Sequence, residues 1–407
     1  MKILYFGTVC DLHAYNEKLN QCKEKPSIAP IVFESALLEG LHQNNADVEI
    51  HSFPMIPAFP KSRFLFFGGH TERLSCQYNC RWLRTLNVPV FKQISRRLDA
   101  RKIMKKWMRD NREHGMVMTY SVPPFLASDV IKYAKRYHVK TVAIIPDLLK
   151  DMYINDKSNF LVSGMKKIYL SSALRVQGMY DGYIYLTEEM RSVVAPDKPY
   201  TVMEGIASDS DIRNALSVEK APRRSVMYAG MLHEKYGILR LLDAFELADI
   251  PDVDLWLFGD GTAAEQVRRR AENNSKIKYF GTRPRSEILQ YERQATLLLN
   301  PRDPADEFTK YSFPSKTIEY MLSGTPLLTT ELKGIPSEYF EHVFTARNND
   351  AQTLALAMRD ALSRSDEELR RMGEEAGRFI EKEKNAAKQA AKIMRFLQEV
   401  NDENSDR

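Results

Sequence analysis

The chain has 407 residues, 43% hydrophobic and 28% charged, with a formal net charge of +5. That length exceeds what one core usually supports, so two domains are expected, and the composition excludes a disordered chain. No apolar run approaches the roughly 20 residues of a membrane-spanning helix, and MKILYFGTV lacks the layout of a signal peptide, so a cytoplasmic protein is expected.

In chain order, KILYFGTV (2–9) reads as the first strand, and a helix within KPSIAPIVFESALLEGL follows it. VEIHSF (48–53) is the second strand. Cys10, Cys22, Cys76 and Cys80 read as free thiols, because CQYNC has no second Cys/His pair near it. The first 210 residues carry 29 Lys+Arg against 21 Asp+Glu, and much of the excess lies in residues 90–115. Basic side chains there interleave with Phe91, Ile94, Leu98, Ile103, Met104 and Trp107. Two readings stay open: contact with an anionic membrane surface, or a solvated helix over a packed apolar stripe. Nucleic acid is not expected, since no recognition motif accompanies the charge.

MVMTY (116–120), VKTVAIIP (139–146) and GYIYLT (182–187) complete the first strand series. Residues 208–225 are polar, contain a proline and read as a linker. The second series is SVMYAGM, VDLWLFG, IKYFGT, ATLLLN, TPLLTT and HVFTA, with segments of helical spacing between them. Such alternation predicts parallel sheets with right-handed crossovers. The expected fold is α/β: two Rossmann-like, doubly wound domains facing a cleft, 1–207 and 208–383. A final helix at about 384–400, with Ala387, Ala390, Ile393 and Leu397 near one face, needs a groove to dock in.

Three turns in the second half point to one ligand. In YAGMLHEKYGILRLLDAF, Gly230 ends a strand and Lys235 begins the next helical segment, a pairing suited to phosphate. In LFGDGTAAEQV the glycines 259 and 261 lack the third glycine of a dinucleotide fingerprint, which argues against a dehydrogenase. In EFTKYSFPSKTIEYMLSGTP, Lys316 and Glu319 share one face of a helix that starts near Pro314. A cation there suits a diphosphate and a carboxylate suits the paired hydroxyls of ribose.

Together the order Y-x-G-x-L, G-D-G, F-G-x-x-x-R-x-E and S-K-x-x-E-Y-M-x-S-G-x-P resembles the donor domain of family 4 retaining glycosyltransferases, which have the GT-B fold. The resemblance is closest from Ser225 to about Ala346. It implies that Glu319 holds the ribose, that Lys316 and Lys235 meet the diphosphate, with Ser315 beside them, and that the turn Gly281–Arg283 faces the base. Gly7 falls on the acceptor side, and the first domain would bind the acceptor. Gly205 resembles the turn that enters the linker. Tyr311 stands where the family's motif has its first glutamate, with Glu307 the nearest acid. Met231 stands where the family has an arginine, and Arg302 could supply that cation. No histidine follows the central strands of the first half, where Asp147 comes after VAIIP.

The resemblance implies transfer with retention from a nucleoside diphosphate sugar, foremost a UDP-sugar, to a glycan or lipid-linked glycan in cell-surface polysaccharide synthesis. Neither a metal nor another cofactor is expected, and work at the inner face of the cell membrane is. Lys235, Lys316 and Asp147 would be the catalytic groups. Tyr311 and Met231 keep a second reading open, a non-catalytic subunit that binds nucleotide or a partner enzyme.

Overall fold

Several strands, GMVMTY and LLLN among them, run without alternation in burial, because a parallel strand is covered on both faces. Residues 1–112, 114–121, 123–148, 170–213 and 219–402 are described by the computed structural model. Residues 214–218, in the middle of the expected linker, lie outside them. The chain divides into two compact units, Met1–Ser208 with Ala386–Arg407, and Asp209–Asn385.

In the first unit β1 (Lys2–Gly7) starts the sheet and β2 (Asp47–Ser52) pairs beside it in parallel. A two-stranded antiparallel piece follows, β3 (Phe66–Phe67) with β6 (Thr85–Leu86). Between them β4 (Thr71–Arg73) and β5 (Asn79–Trp82) extend the main sheet beyond β2. The chain then returns to the other side of β1 with β7 (Gly115–Tyr120), β8 (Lys140–Ile145), β9 (Gly182–Tyr185) and β10 (Tyr200–Val202). The order is β10-β9-β8-β7-β1-β2-β5-β4, antiparallel only between β4 and β5.

The second unit repeats the plan. Its first strand, β11 (Arg224–Ala229), is flanked on one side by β12 (Val253–Phe258) and β13 (Ile277–Gly281). On the other side lie β14 (Leu297–Asn300), β15 (Leu327–Thr330) and β16 (Phe344–Ala346). The order β13-β12-β11-β14-β15-β16 is parallel throughout. In both sheets the winding reverses beside the first strand, between β1 and β7 and between β11 and β14. Ligands of such sheets bind at that reversal, beyond the carboxyl ends of the strands.

The C-terminal helix Ala386–Asp402 docks on the first unit through Ala386, Gln389, Ala390, Ile393, Phe396, Leu397 and Val400. The buried alanine at its start is Ala386, not the expected Ala387, which is exposed. The one-residue shift follows from a close approach: a Cβ at Gly40 would lie 2.0 Å from the Ala386 carbonyl oxygen. Gln389 also donates to the Gly205 carbonyl at 3.1 Å. All four cysteines are unbridged, as expected. Among the described residues no helix is long and apolar enough to cross a membrane.

Gly40 lies inside the helix Ala29–Gln43, where alanine would ordinarily stabilise by about 1 kcal/mol. Here the backbone contact reverses the sign. Gly40→Ala is expected to destabilise the chain by about 1–3 kcal/mol, as overpacking does, read as a lower melting temperature. An unchanged or higher value would contradict the packing described.

Candidate functional site

The second unit gathers its charged side chains around the reversal between β11 and β14. The loop after β11 carries Lys235 and Tyr236, and the loop after β14 carries Arg302. The Lys235 ammonium and the Arg302 guanidinium each lie 5.0 Å from the centre of the Tyr236 ring. Phe308 meets Tyr236 edge-on at 6.2 Å, and Lys235 is 5.8 Å from the Phe308 ring. Two cations thus share one aromatic post at the end of the sheet.

Gly259 explains why the β11 loop keeps this path. It adopts φ +124°, and a Cβ there would lie 1.8 Å from the Gly230 carbonyl oxygen. Gly230 itself donates its N–H to the Phe258 carbonyl at 3.0 Å. The glycines of LFGDGT therefore hold two loops together rather than cradle a dinucleotide. Met231 is exposed beside them.

Lys316 and Glu319 lie on the short helix Lys316–Leu322, after Ser315. Its buried Tyr320 hydroxyl donates to the Ala229 carbonyl at 3.1 Å and accepts from the Ala229 N–H at 2.9 Å. That pair of bonds ties the helix to the end of β11, one residue before Gly230. Lys316 donates to Glu319 and, at 3.3 Å, to Glu292. Arg285 pairs with Glu319 at 3.0 Å and with Asp211 at 3.0 Å. The outcome is a continuous chain of charge: Asp211, Arg285, Glu319, Lys316, Glu292.

Glu292 is fully buried. Burial pushes its carboxyl up to about 8 although Lys316 pulls it down, and the neighbouring Glu319 carboxylate adds to the rise. Burial also works against ionisation of Glu319, but Lys316 and Arg285 outweigh it and hold that carboxyl below its ordinary range. For Lys316 the two carboxyls outweigh burial and keep the ammonium charged. The shifts run in opposite directions: burial favours the protonated form of Glu292, while Lys316 is held charged and Glu319 ionised. The buried acid thus lies beneath a half-buried lysine that also pairs with Glu319.

The other expected positions divide. Glu307 is exposed at the start of the single turn Glu307–Lys310, and Tyr311 is half-buried at its end. Ser315 is exposed and makes no capping bond with its side chain. Arg283 is exposed on its turn, while the arginine that joins the cluster is Arg285, the Arg of the F-G-x-x-x-R-x-E pattern. Asp303 pairs with Arg240 at 3.0 Å, and Asp211 with Arg285.

In the first unit Gly7, expected on the acceptor side, is buried. A Cβ on Gly7 would lie 1.8 Å from Glu34, so its glycine character serves packing. Glu34 is fully buried and accepts from the Tyr5 hydroxyl at 2.7 Å, the Thr8 N–H at 2.9 Å and the Thr8 hydroxyl. Burial pushes it up to about 7 against those bonds. Asp147 is exposed after β8, at the same end of the sheet. Glu34 and Glu292 escaped the sequence reading, and Arg285 entered it only as part of a pattern, without a role. A signal for Glu292 existed: it follows buried Ile288 by four residues on one helix face.

Residues 223–364 match a family model described as Glycosyl transferases group 1. No curated protein matches the chain by sequence. Among solved structures, the sucrose-phosphate synthase of Thermosynechococcus elongatus is similar over 98% of this chain and 99% of its own, with TM-score 0.67 and 15% identity. Anabaena HepE in complex with UDP covers 98% and 100%, with TM-score 0.60 and 14% identity. A UDP-forming trehalose-phosphate synthase from Burkholderia xenovorans covers 98% and 99%, with TM-score 0.61 and 11% identity. The chain therefore has the GT-B fold of glycosyltransferases.

Glu292 provides a pH test. Its carboxyl rises from the ordinary 4.5 to about 8. The folded chain thus keeps a proton that the unfolded chain releases. Its contribution is intact below the ordinary value and lost as pH rises through the folded one. Glu292→Gln cannot ionise. Its melting temperature relative to the parent is expected to climb between about pH 5 and 8. A difference constant across that range would contradict a protonated Glu292.

Proposed function

We propose that the chain is a retaining glycosyltransferase that takes a sugar from a UDP-sugar and passes it to a glycan or lipid-linked glycan. The observation that carries this reading is the pairing of Lys316 with Glu319 at the end of β11, inside the segment that matches the group 1 family model. Lys316, Lys235 and Arg302 neutralise the departing diphosphate, so the negative charge that grows in the transition state meets cations already in position. Glu319 accepts the ribose hydroxyls, and Arg285 keeps it ionised for that role. Three cations take the part a divalent ion plays elsewhere, so transfer needs no metal. Asp147 of the first unit serves the acceptor hydroxyl. Uridine is favoured because HepE was solved with UDP and the Burkholderia synthase is UDP-forming. The acceptor belongs to cell-surface polysaccharide synthesis, at the cytoplasmic face of the membrane.

A second reading, a nucleotide-binding subunit without turnover, draws on Tyr311 and Met231 and on Lys316 being engaged by two carboxyls without ligand. Incubation with a panel of nucleoside diphosphate sugars decides between them. Release of UDP that persists in EDTA is expected, and Glu319→Ala should weaken UDP binding by about 1–3 kcal/mol in calorimetry. UDP binding without UDP release from any donor would establish the second reading. Unchanged affinity in Glu319→Ala would remove Glu319 from the site.

A further inference from the structure

The first unit displays apolar side chains that its core does not use. Among the described residues thirteen large hydrophobic side chains are exposed, and seven of them come from two neighbouring segments. Phe59, Leu65 and Phe66 belong to the first segment, with Phe66 72% exposed. Val90, Phe91, Ile94 and Leu98 belong to the second, at the start of the helix Phe91–Asp110.

A fixed framework holds the two segments together. Buried Asn87 donates through its side chain to the carbonyls of Pro57 and Phe64 and to the Ser62 hydroxyl. Its backbone N–H donates to the Leu65 carbonyl at 2.7 Å, and its own carbonyl accepts from Phe59 at 2.8 Å. Phe66 pairs with Leu86 across the β3–β6 ribbon, and the Leu86 N–H donates to the Ser95 hydroxyl on the helix at 2.9 Å. The apolar side chains therefore stand on a braced platform and do not fold back into the core. Apolar clusters of this kind on a soluble surface mark an interaction face.

The same segments, residues 59–67 and 84–106, contain ten Lys+Arg and one acid, Asp99. Along the exposed face of the helix, Phe91, Ile94 and Leu98 give way to Lys102 and Lys105, all exposed. Apolar side chains at one end and ammonium groups behind them match the layers of a bilayer surface, acyl boundary first and anionic headgroups next. A two-fold dimer through this face would set the basic patch against its own copy, because such interfaces are self-complementary. We propose that this face docks on an anionic phospholipid surface. The helix start and the β3 segment enter the headgroup region, and Arg63, Arg84, Lys102 and Lys105 face lipid phosphates. This surface is independent of the donor site.

The test uses the full chain and extruded phosphatidylcholine vesicles with or without phosphatidylglycerol, in the absence of nucleotide. Co-sedimentation is expected only with phosphatidylglycerol and should fall as salt rises. The exposed triple variant Phe66→Ser, Phe91→Ser, Leu98→Ser is expected to bind roughly tenfold or more weakly. Arg63→Glu with Lys102→Glu should weaken binding without removing any apolar side chain. Circular dichroism and the response to UDP should match the parent in both variants. Equal binding to the two vesicle types overturns the proposal. So does parent-like binding by both variants, or a parent dimer in light scattering that the triple variant loses.

Discussion

A buried carboxyl beneath a lysine organises the charge cluster of the second unit. Glu292 has no exposure and lies 3.3 Å from Lys316, which it helps to orient. A second negative charge so close to Glu319 would repel it, and burial already opposes ionisation, so both effects push the Glu292 carboxyl up. Glu319, shared with Arg285, is then the ionised partner of Lys316. An incoming diphosphate can compete for that ammonium without leaving two bare carboxylates behind. The cost of a buried unpaired charge sets this arrangement.

The two units reuse one device. Each sheet reverses its winding beside its first strand, and each buries a glutamate near that reversal, Glu34 under the β1 loop and Glu292 under the helix after Ser315. Burial raises both carboxyls, to about 7 and about 8. Both then act as fixed braces for the loops above them. Glu34 braces through Tyr5 and Thr8, while Glu292 braces through Lys316. In the second unit the brace supports the Lys316–Glu319 pair. In the first it fills the space that Gly7 leaves.

The fold was legible because parallel strands advertise themselves as unbroken apolar runs, and every run of that kind became a strand. What escaped were short elements whose pairing is set by neighbours. Tyr200–Val202 is a three-residue edge strand, and the β3–β6 ribbon has two residues a side, too few for any period to show. Lys316 and Glu319 were legible because their spacing and the Gly-Thr-Pro after them form a pattern. Glu292 lies in SEILQYERQ, whose helical spacing was legible; only the packing of that helix on the sheet decides its burial. Arg283 and Arg285 flank one proline, and the sequence alone does not say which turns toward Glu319. Exposure of the Phe66 and Phe91 region was readable as mixed charge and apolar character, but not as one braced surface.

The central claim is that the Lys316–Glu319 pair receives a nucleotide at the β11–β14 reversal. A crystal structure of the chain with UDP tests it most directly. The account predicts diphosphate oxygens on Lys316, ribose hydroxyls on Glu319, and Arg285 still bound to Glu319. UDP bound elsewhere in the chain, with Lys316 and Glu319 paired as before, would contradict it.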